Sequence, residues 1–207
     1  MTTYLERRAG RVLLVDDAGR VLLLHGRDPA RPGHHYWFTP GGGLDPGESA
    51  VAGAARELAE ETGLRLPPAA LGEPVWREVT EFPFDGRWYR QEQEFFLVRV
   101  PSWAPDTSGF DEIERNTIDA HRWWAPAELA ATGERFYPAE LVSVLRAALD
   151  AAAGAGPASG SAAAGSGPSG PASGSAASGS GPAGPAFGSA ASGSAAAAGR
   201  VAGRDGC

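Results

Sequence analysis

The sequence predicts an α/β domain in which a mixed β-sheet carries helices on its faces, followed by a disordered C-terminal tail. Short apolar runs alternate along the chain with two segments whose apolar residues recur at helical spacing. All aromatic residues except Phe187 lie before residue 151. Residues 151–207 consist almost entirely of Ala, Gly, Ser and Pro, so they lack the side chains that build a core.

Length, charge and cysteine content limit the possible functions. The chain has 207 residues and a net charge of −7, and we expect one folded domain at residues 1–150 and a tail at residues 151–207. The negative charge disfavours a general nucleic-acid binder. Cys207 is the single cysteine, which excludes an intrachain disulfide. No stretch resembles a signal peptide or a membrane span, so we expect a cytoplasmic protein without a membrane partner.

The first predicted elements are strands. Residues 11–15 and 20–25 are apolar runs separated by the turn sequence at residues 16–19, which predicts a β-hairpin. Residues 36–39 form the next candidate strand. It ends at Pro40, and we expect the three glycines that follow, residues 41–43, to form a loop.

A helix follows the glycines. It should begin near Glu48 or Ser49 and end at Gly63, because a glycine can adopt the left-handed conformation that caps a helix. The apolar side chains recur at the spacing of a buried helical stripe, which comprises Val51, Ala54, Ala55, Leu58 and Thr62.

The second half of the domain predicts more strands and a last helix. Residues 75–79 and 89–100 are strand candidates, separated by an Asp-Gly turn. Residues 122–124 should form a short strand whose two tryptophans, Trp123 and Trp124, point to opposite faces, so that one belongs to the core. Residues 126–129 predict one helical turn, and residues 139–148 predict a full helix.

The segment from Gly42 to Leu64 carries the most specific pattern in the chain. On a helix, Glu57, Glu60 and Glu61 fall on a single edge that is separate from the apolar stripe. Like charges at these spacings repel each other, so the arrangement opposes folding unless a cation offsets it. A hard divalent cation suits an all-oxygen cluster, and Mg²⁺ is preferred where substrate phosphates complete its coordination.

Other residues of this segment support that interpretation. Arg56 lies one turn from Glu60 and can hold a carboxylate in a fixed orientation. The preceding glycines let the backbone approach a charged ligand beside a helix N-terminus. The alternative, a solvated acidic helix face, does not explain why Gly42, Glu48, Arg56 and Gly63 stand at fixed offsets.

Gly42 to Leu64 resembles the Nudix box of the Nudix hydrolase superfamily, with every fixed position filled. The resemblance implies an α/β/α sandwich with a mixed sheet. It also implies hydrolysis of a nucleoside diphosphate linked to another moiety, by water attack on phosphorus, with Mg²⁺ or Mn²⁺ as cofactor. The implied partner is a small-molecule nucleotide.

The same resemblance implies roles for single residues. The metal ligands would be the Gly42 carbonyl, Glu57, Glu60 and Glu61, and the catalytic residues would include Glu60, Glu61 and Arg56. Arg56 would orient Glu57 or Glu60, and Glu48 would support the junction between loop and helix. Gly43 is a candidate for substrate binding.

A further acidic residue from a later loop serves many relatives as a metal ligand or base, and residues 109–115 are the densest later source. We expect Ile113 to turn inward, which would place Glu112 and Glu114 toward solvent or cleft. Of the two we predict Glu114 as the general base. The alternatives are a solvated helix start at this segment or, in place of Glu114, the residues Glu112, Glu92 or Glu94.

Aromatic and histidine side chains are weaker candidates. Trp37, Phe38 and Trp88 can stack on a base, although strand aromatics also build cores. His34 and His35 either face a phosphate or base or are merely solvated.

Two other functions remain open from the sequence. The first is a Nudix-fold module that binds a nucleotide without turnover. Such a module would have no reason to keep an intact acidic cluster whose charges repel each other. The second is isomerisation of a prenyl diphosphate, which would require a core cysteine, and Cys207 lies in the tail. The sequence does not identify the substrate, and it does not distinguish a monomer from a homodimer.

Overall fold

The computed structural model describes residues 2–154, so the tail predicted to be disordered lies outside the described residues except for its first four positions. Residues 2–154 form one mixed eight-stranded sheet with helices on its faces. The strands are β1 (Tyr4–Asp16), β2 (Val21–Asp28), β3 (Arg31–Phe38), β4 (Gly41–Gly43), β5 (Trp76–Phe84), β6 (Arg87–Val100), β7 (Ile118–Trp124) and β8 (Phe136–Tyr137). The α-helices are α1 (Ala50–Thr62), α2 (Glu112–Thr117), α3 (Pro126–Ala131) and α4 (Leu141–Gly154).

The sheet combines parallel and antiparallel pairs, as the sequence predicted. Its main path is β5-β6-β1-β2-β3-β8, while β4 pairs with β1 and β7 pairs with β2. The predicted hairpin of β1 and β2 is confirmed by the antiparallel pair Val15↔Val21. The long parallel pairing of β1 with β6, from Tyr4↔Trp88 to Asp16↔Val100, was not predicted. Parallel strands need a long crossover, and the connection from β1 to β6 comprises β2, β3, β4, α1 and β5.

Alternation along the strands builds two apolar layers. One cluster lies between the sheet and α1 and includes Val12, Leu14, Leu22, Ala54, Leu58 and Phe96. The other lies beneath α4 and includes Leu13, Val15, Leu23, Phe95, Leu141 and Leu145. Trp124 belongs to the second cluster and Trp123 packs against the first, so the predicted division of these tryptophans is confirmed.

The bounds predicted for α1 are confirmed. The Ser49 hydroxyl accepts a hydrogen bond from the Ala52 backbone N–H at the N-terminus, and Gly63 ends the helix with φ 72°. Gly10 lets the helix approach the sheet, because a Cβ there would lie 2.2 Å from the Ala50 carbonyl oxygen. This approach sets the beginning of α1 directly on β1.

Several segments differ from the sequence-based expectation. The three glycines form strand β4 instead of a loop, since backbone pairing with residues 9–11 needs no side chains. Residues 112–117 form α2, which was considered only as an alternative. Helix α4 continues to Gly154, past the boundary expected at residue 150. None of the helices in residues 2–154 has the length and apolar character needed to cross a bilayer.

Candidate active site

Three carboxyl groups meet where α1, β4 and α2 approach each other. One oxygen of each of Glu57, Glu61 and Glu114 lies within 4.8 Å of the other two. Their exposed fractions are 0%, 0% and 1%. Glu57 Oε2, Glu61 Oε1 and Glu114 Oε1 are buried without a hydrogen-bond partner. Because such orphaned buried oxygens are costly, the cluster requires protons or a cation.

Burial raises the pKa of all three carboxyl groups. It raises the pKa of Glu57 to about 8, although Arg56 opposes the shift and Glu114 and Glu60 add to it. It also raises the pKa of Glu114 to about 7. The pKa of Glu61 lies well above its usual range because of burial and then repulsion from Glu57 and Glu114. A divalent cation would reverse these shifts, and the all-oxygen donor set suits Mg²⁺ or Mn²⁺.

Arg56 ties the acidic residues to the loop before the helix. Its NH1 group donates to Glu57 Oε1 at 2.8 Å and to Glu60 Oε2 at 3.2 Å. Its Nε and NH2 groups donate to the Glu48 carboxylate at 3.1 and 2.9 Å. Although burial lowers it, the pKa of Arg56 is raised overall by Glu48 and Glu57. The arginine is therefore a permanent cation that contacts both glutamates it was expected to orient.

Glu48 joins the loop to the start of the helix, as the resemblance implied. Besides its contacts with Arg56, its Oε2 accepts a hydrogen bond from the Asp45 backbone N–H at 2.9 Å. The same arginine donates to the Gly43 carbonyl at 3.0 Å. These bonds hold β4 and the beginning of α1 in one orientation.

Glu60 stands apart from the buried group. Its side chain is 36% exposed and bonds to Arg56 at the rim. The acidic edge expected from the helical spacing is thus divided, because Glu57 and Glu61 face β4 while Glu60 faces solvent. The group that the structure brings together is not identical to the predicted ligand set of Glu57, Glu60 and Glu61.

The glycines of β4 lie directly against the carboxylates. A Cβ at Gly42 would lie 2.6 Å from the Glu57 carboxylate. The Gly41 backbone N–H donates to Glu61 Oε2 at 2.6 Å. Any other residue at position 42 would displace the Glu57 carboxylate, which explains this motif position physically. The expected roles of the Gly42 carbonyl and of Gly43 toward metal and substrate stay predictions.

Two arginines of β1 border the cluster, and the sequence reasoning missed them. Arg11 is buried and donates to the Thr39 and Gly41 carbonyls at 3.1 Å. Arg7 lies against Gly43, where a Cβ would be 2.4 Å from its NH2 atom. The Arg7 NH1 atom is buried without a partner, and burial lowers the pKa of Arg7 to about 10. The sequence did contain a signal for this pair. Arg7 and Arg11 are four positions apart, and this spacing places both side chains on one face of a strand.

The structure corrects the expectation for Ile113, while the role of Glu114 as general base stays a prediction. Ile113 is 39% exposed while Glu114 is buried, so the inward residue is the carboxylate. Asp111 accepts a hydrogen bond from the Glu114 backbone N–H, and Glu114 Oε2 accepts one from the Asp111 backbone N–H, both at 2.7 Å. This capping box starts α2, so side chains follow helical rather than alternating geometry.

The three residues considered in place of Glu114 do not belong to the buried acidic cluster. Glu112 and Glu92 are exposed. Glu94 pairs with Arg77 at 3.3 Å on the sheet surface. Among residues 2–154, Glu114 is thus the later carboxylate that joins the two glutamates of α1.

The aromatic candidates divide between two faces. Phe38 is buried in a cluster with Tyr36 and Tyr89. Trp37 packs on the other face of β3, with its ring 5.2 Å from that of Trp124. Neighbouring strand residues point to opposite faces, so Trp37 and Phe38 lie on different sides of the sheet. Their expected contacts with a base stay predictions.

The remaining candidates have partners of their own. Trp88 is exposed and meets Tyr4 edge-on at 6.1 Å. His34 Nδ1 lies 2.9 Å from Arg135 NH1. His35 stacks on His25 with a ring separation of 5.5 Å.

A cavity of about 660 Å³ lies beside α2. Its walls include two arginines, a buried tyrosine and one side of the helix, namely Arg27, Arg87, Tyr89, Ile113, Asn116 and Thr117. Glu114 lies on the same helix but is not among the residues that line the cavity.

Comparison with known proteins identifies the family. The model of the NUDIX domain matches residues 5–145. An RNA pyrophosphohydrolase of Bradyrhizobium diazoefficiens is 37% identical over 103 residues, which are 46% of this chain and 52% of that protein. One of Erythrobacter litoralis is 35% identical over 135 residues, covering 59% of this chain and 78% of that protein. The chain spans about half the length of several such relatives.

Solved structures show the same fold. The MutT protein of Methanosarcina mazei superposes with a TM-score of 0.51 at 19% identity, covering 73% of this chain and 99% of that one. The MutT NUDIX hydrolase of Burkholderia pseudomallei gives 0.50 at 21% identity, covering 68% and 96%. These similarities confirm the predicted α/β architecture.

Proposed function

Because the chain belongs to the NUDIX domain family, we propose that it is a metal-dependent pyrophosphohydrolase that cleaves a nucleoside diphosphate linked to another moiety. The observation that carries the proposal is the set of three buried carboxylate oxygens without partners on Glu57, Glu61 and Glu114. A fold that only binds a nucleotide has no reason to keep such a self-repelling group.

Glu57 and Glu61 would hold Mg²⁺ or Mn²⁺, with the Gly42 carbonyl beside them and Glu60 at the rim. Bound there, the ion would activate a water and neutralise charge on the phosphoanhydride. Arg56 keeps the Glu57 carboxylate in place through its 2.8 Å hydrogen bond. Loss of this bond would leave a buried ligand free to rotate.

Glu114 would accept the proton of the attacking water. It approaches from α2 rather than α1, and its Oε1 has no partner while Oε2 is held by the Asp111 backbone N–H. In the metal-free site burial raises its pKa to about 7. A bound cation would lower this pKa again, so the carboxylate would be ionised and able to accept a proton at neutral pH.

Arg7 supports the assignment of Gly43 to substrate binding. Its guanidinium lies against Gly43, and its NH1 atom is buried without a partner. A substrate phosphate at this glycine would supply the missing acceptor.

Small nucleotides in the cytoplasm are our first candidate substrates. The names of the relatives favour a second candidate, the 5′-triphosphate end of RNA. The net charge of −7 disfavours long contacts with an RNA backbone, so recognition would be confined to the end.

A substrate panel with Mg²⁺ tests the proposal. It should contain nucleoside triphosphates, dinucleoside polyphosphates, ADP-ribose, other nucleotide sugars, NADH and 5′-triphosphorylated RNA. The readout is the phosphorylated products themselves, a nucleotide and the second phosphorylated fragment or pyrophosphate, separated by chromatography. We expect turnover of at least one compound and none in EDTA. Binding without turnover across the panel would favour the non-catalytic module, and full activity in a chelator would contradict the metal site.

A further inference from the structure

Two histidines and an aspartate converge on three neighbouring strands away from the acidic cluster. His35 lies on β3, His25 on β2 and Asp119 on β7. One potential ligand atom of each lies within 4.8 Å of the other two. None of these residues contributes to the group of Glu57, Glu61 and Glu114.

The strand register explains how they meet. On one side, His25 pairs with Trp37 and Arg27 pairs with His35, so His35 is the diagonal neighbour of His25 on the same face. On the other side, the ladder passes from His25↔Ala120 to Gly26↔Ile118. Asp119 is the extra residue of this β-bulge. A bulge re-aims side chains, and here it brings Asp119 Oδ1 to 2.5 Å from His25 Nδ1.

Aromatic contacts hold the central histidine. The His25 ring stacks on His35 with an interplanar angle of 10° and contacts the Trp37 ring at 4.7 Å. Its side chain is only 19% exposed, whereas that of Asp119 is 48% exposed. One donor is therefore fixed in place, and the other two border solvent, from which an ion can enter.

The donor chemistry is that of a transition metal. Two imidazole nitrogens and one carboxylate oxygen suit Zn²⁺ and its neighbours, whereas Mg²⁺ prefers oxygen ligands. Bonds of about 2.0–2.1 Å place ligand atoms roughly 3.3 Å apart around a tetrahedral ion. Rotation of the exposed His35 and Asp119 side chains would adjust the present separations, 2.5 Å between Asp119 Oδ1 and His25 Nδ1 and at most 4.8 Å within the group, to that value.

We propose that His25, His35 and Asp119 bind a divalent transition-metal ion of the Zn²⁺ type, with water completing its coordination. The ion would link β3, β2 and β7, so its binding would stabilise the folded chain by mass action. This site is independent of the proposed hydrolysis, since it shares no residue with the acidic cluster.

Zn²⁺ titration by calorimetry tests the proposal on the full chain, with excess Mg²⁺ present to occupy the acidic cluster. We expect saturable binding of one Zn²⁺ per chain through this site. His35→Ala and Asp119→Asn should each raise the Kd at least tenfold, in the range expected for loss of a metal-site residue. His34→Ala is the matched control, because this adjacent histidine faces Arg135 and should leave the Kd unchanged.

Co²⁺ offers a second readout, because its visible absorption reports the ligands directly. The band should disappear in His35→Ala and persist in His34→Ala, while Mg²⁺-dependent hydrolysis stays at the wild-type level in both. Equal Zn²⁺ binding by these two variants, or no saturable Zn²⁺ binding by the wild-type chain, would overturn the proposal.

Discussion

The acidic cluster and the histidine group each offer three ligand atoms to a metal ion, but the two groups differ in their exposure to solvent. Glu57, Glu61 and Glu114 are buried and leave three oxygens without partners. In the histidine group, Asp119 is half exposed and already paired with His25. Burial therefore makes the first group dependent on protons or a cation, whereas the second is satisfied by solvent and its own contacts.

The two groups differ in what they require when no ion is bound. Without an ion, the buried carboxylates hold protons, as their raised pKa values show. The histidine group has no such cost, so the chain folds around it whether or not an ion is present. Substitutions should accordingly have large effects at the acidic cluster and small ones at the histidine group.

The largest effect is expected from Glu61→Gln. It removes a buried charge beside the ion, and kcat should fall on the order of 10³-fold. Steady-state kinetics with Mg²⁺ measure the change. Glu73→Gln, at an exposed position, is the control and should behave as wild type. A loss of tenfold or less in Glu61→Gln would mean that the buried group is not the reacting centre.

Glu114→Gln should lower kcat by roughly 10²-fold, the usual lower range for a lost general base. The acidic limb of the pH profile should disappear with it. Glutamine can still accept the Asp111 hydrogen bond, so α2 should persist and the melting temperature should change little. Glu112→Gln on the same helix is the control, and equal kinetics in the two variants would remove Glu114 from the mechanism.

Gly42→Ala tests the close approach of β4 to the cluster. The added methyl group would lie 2.6 Å from the Glu57 carboxylate and must displace it. We expect the Mg²⁺ concentration for half-maximal activity to rise about tenfold. Gly33→Ala, where nothing lies within 4 Å, is the matched control. An unchanged Mg²⁺ requirement in Gly42→Ala would show that this glycine does not shape the metal site.

The metal-free protein should lose stability as the pH rises from about 5 to about 8. The folded pKa values of Glu57 and Glu114, about 8 and about 7, exceed their usual values. The unfolded chain therefore releases these protons first, and the stabilisation is lost as the pH passes through the folded pKa values. Urea denaturation in EDTA measures this slope, which Mg²⁺ should suppress. A slope of the same size with Mg²⁺ would mean that the cation does not bind the buried carboxylates.

Deleting residues 155–207 should have the smallest effect. Both groups lie within residues 2–154, and the only large apolar side chains of the deleted segment are Phe187 and Val201. The melting temperature, kcat/KM and Zn²⁺ affinity should all stay near the values of the full chain. A marked fall in any of them would show that the tail contributes to the corresponding group.

The sequence by itself determined what depends on neighbours along the chain. The caps at Ser49 and Gly63, the apolar stripe of α1 and the pairing of Arg56 with Glu60 follow from helical spacing within one segment. Alternation similarly placed Trp123 and Trp124 on opposite faces. Local periodicity fixes these features because each is set by residues at most one or two turns apart.

Only the tertiary structure decided what depends on distant segments. It divided the acidic edge, because α1 turns Glu57 and Glu61 toward β4 and leaves Glu60 at the rim. It buried Glu114 instead of Ile113, and it set Asp119 against His25, 94 residues away along the chain. Side-chain solvation and the register between strands arise from contacts between segments, and the pattern of one sequence does not specify them.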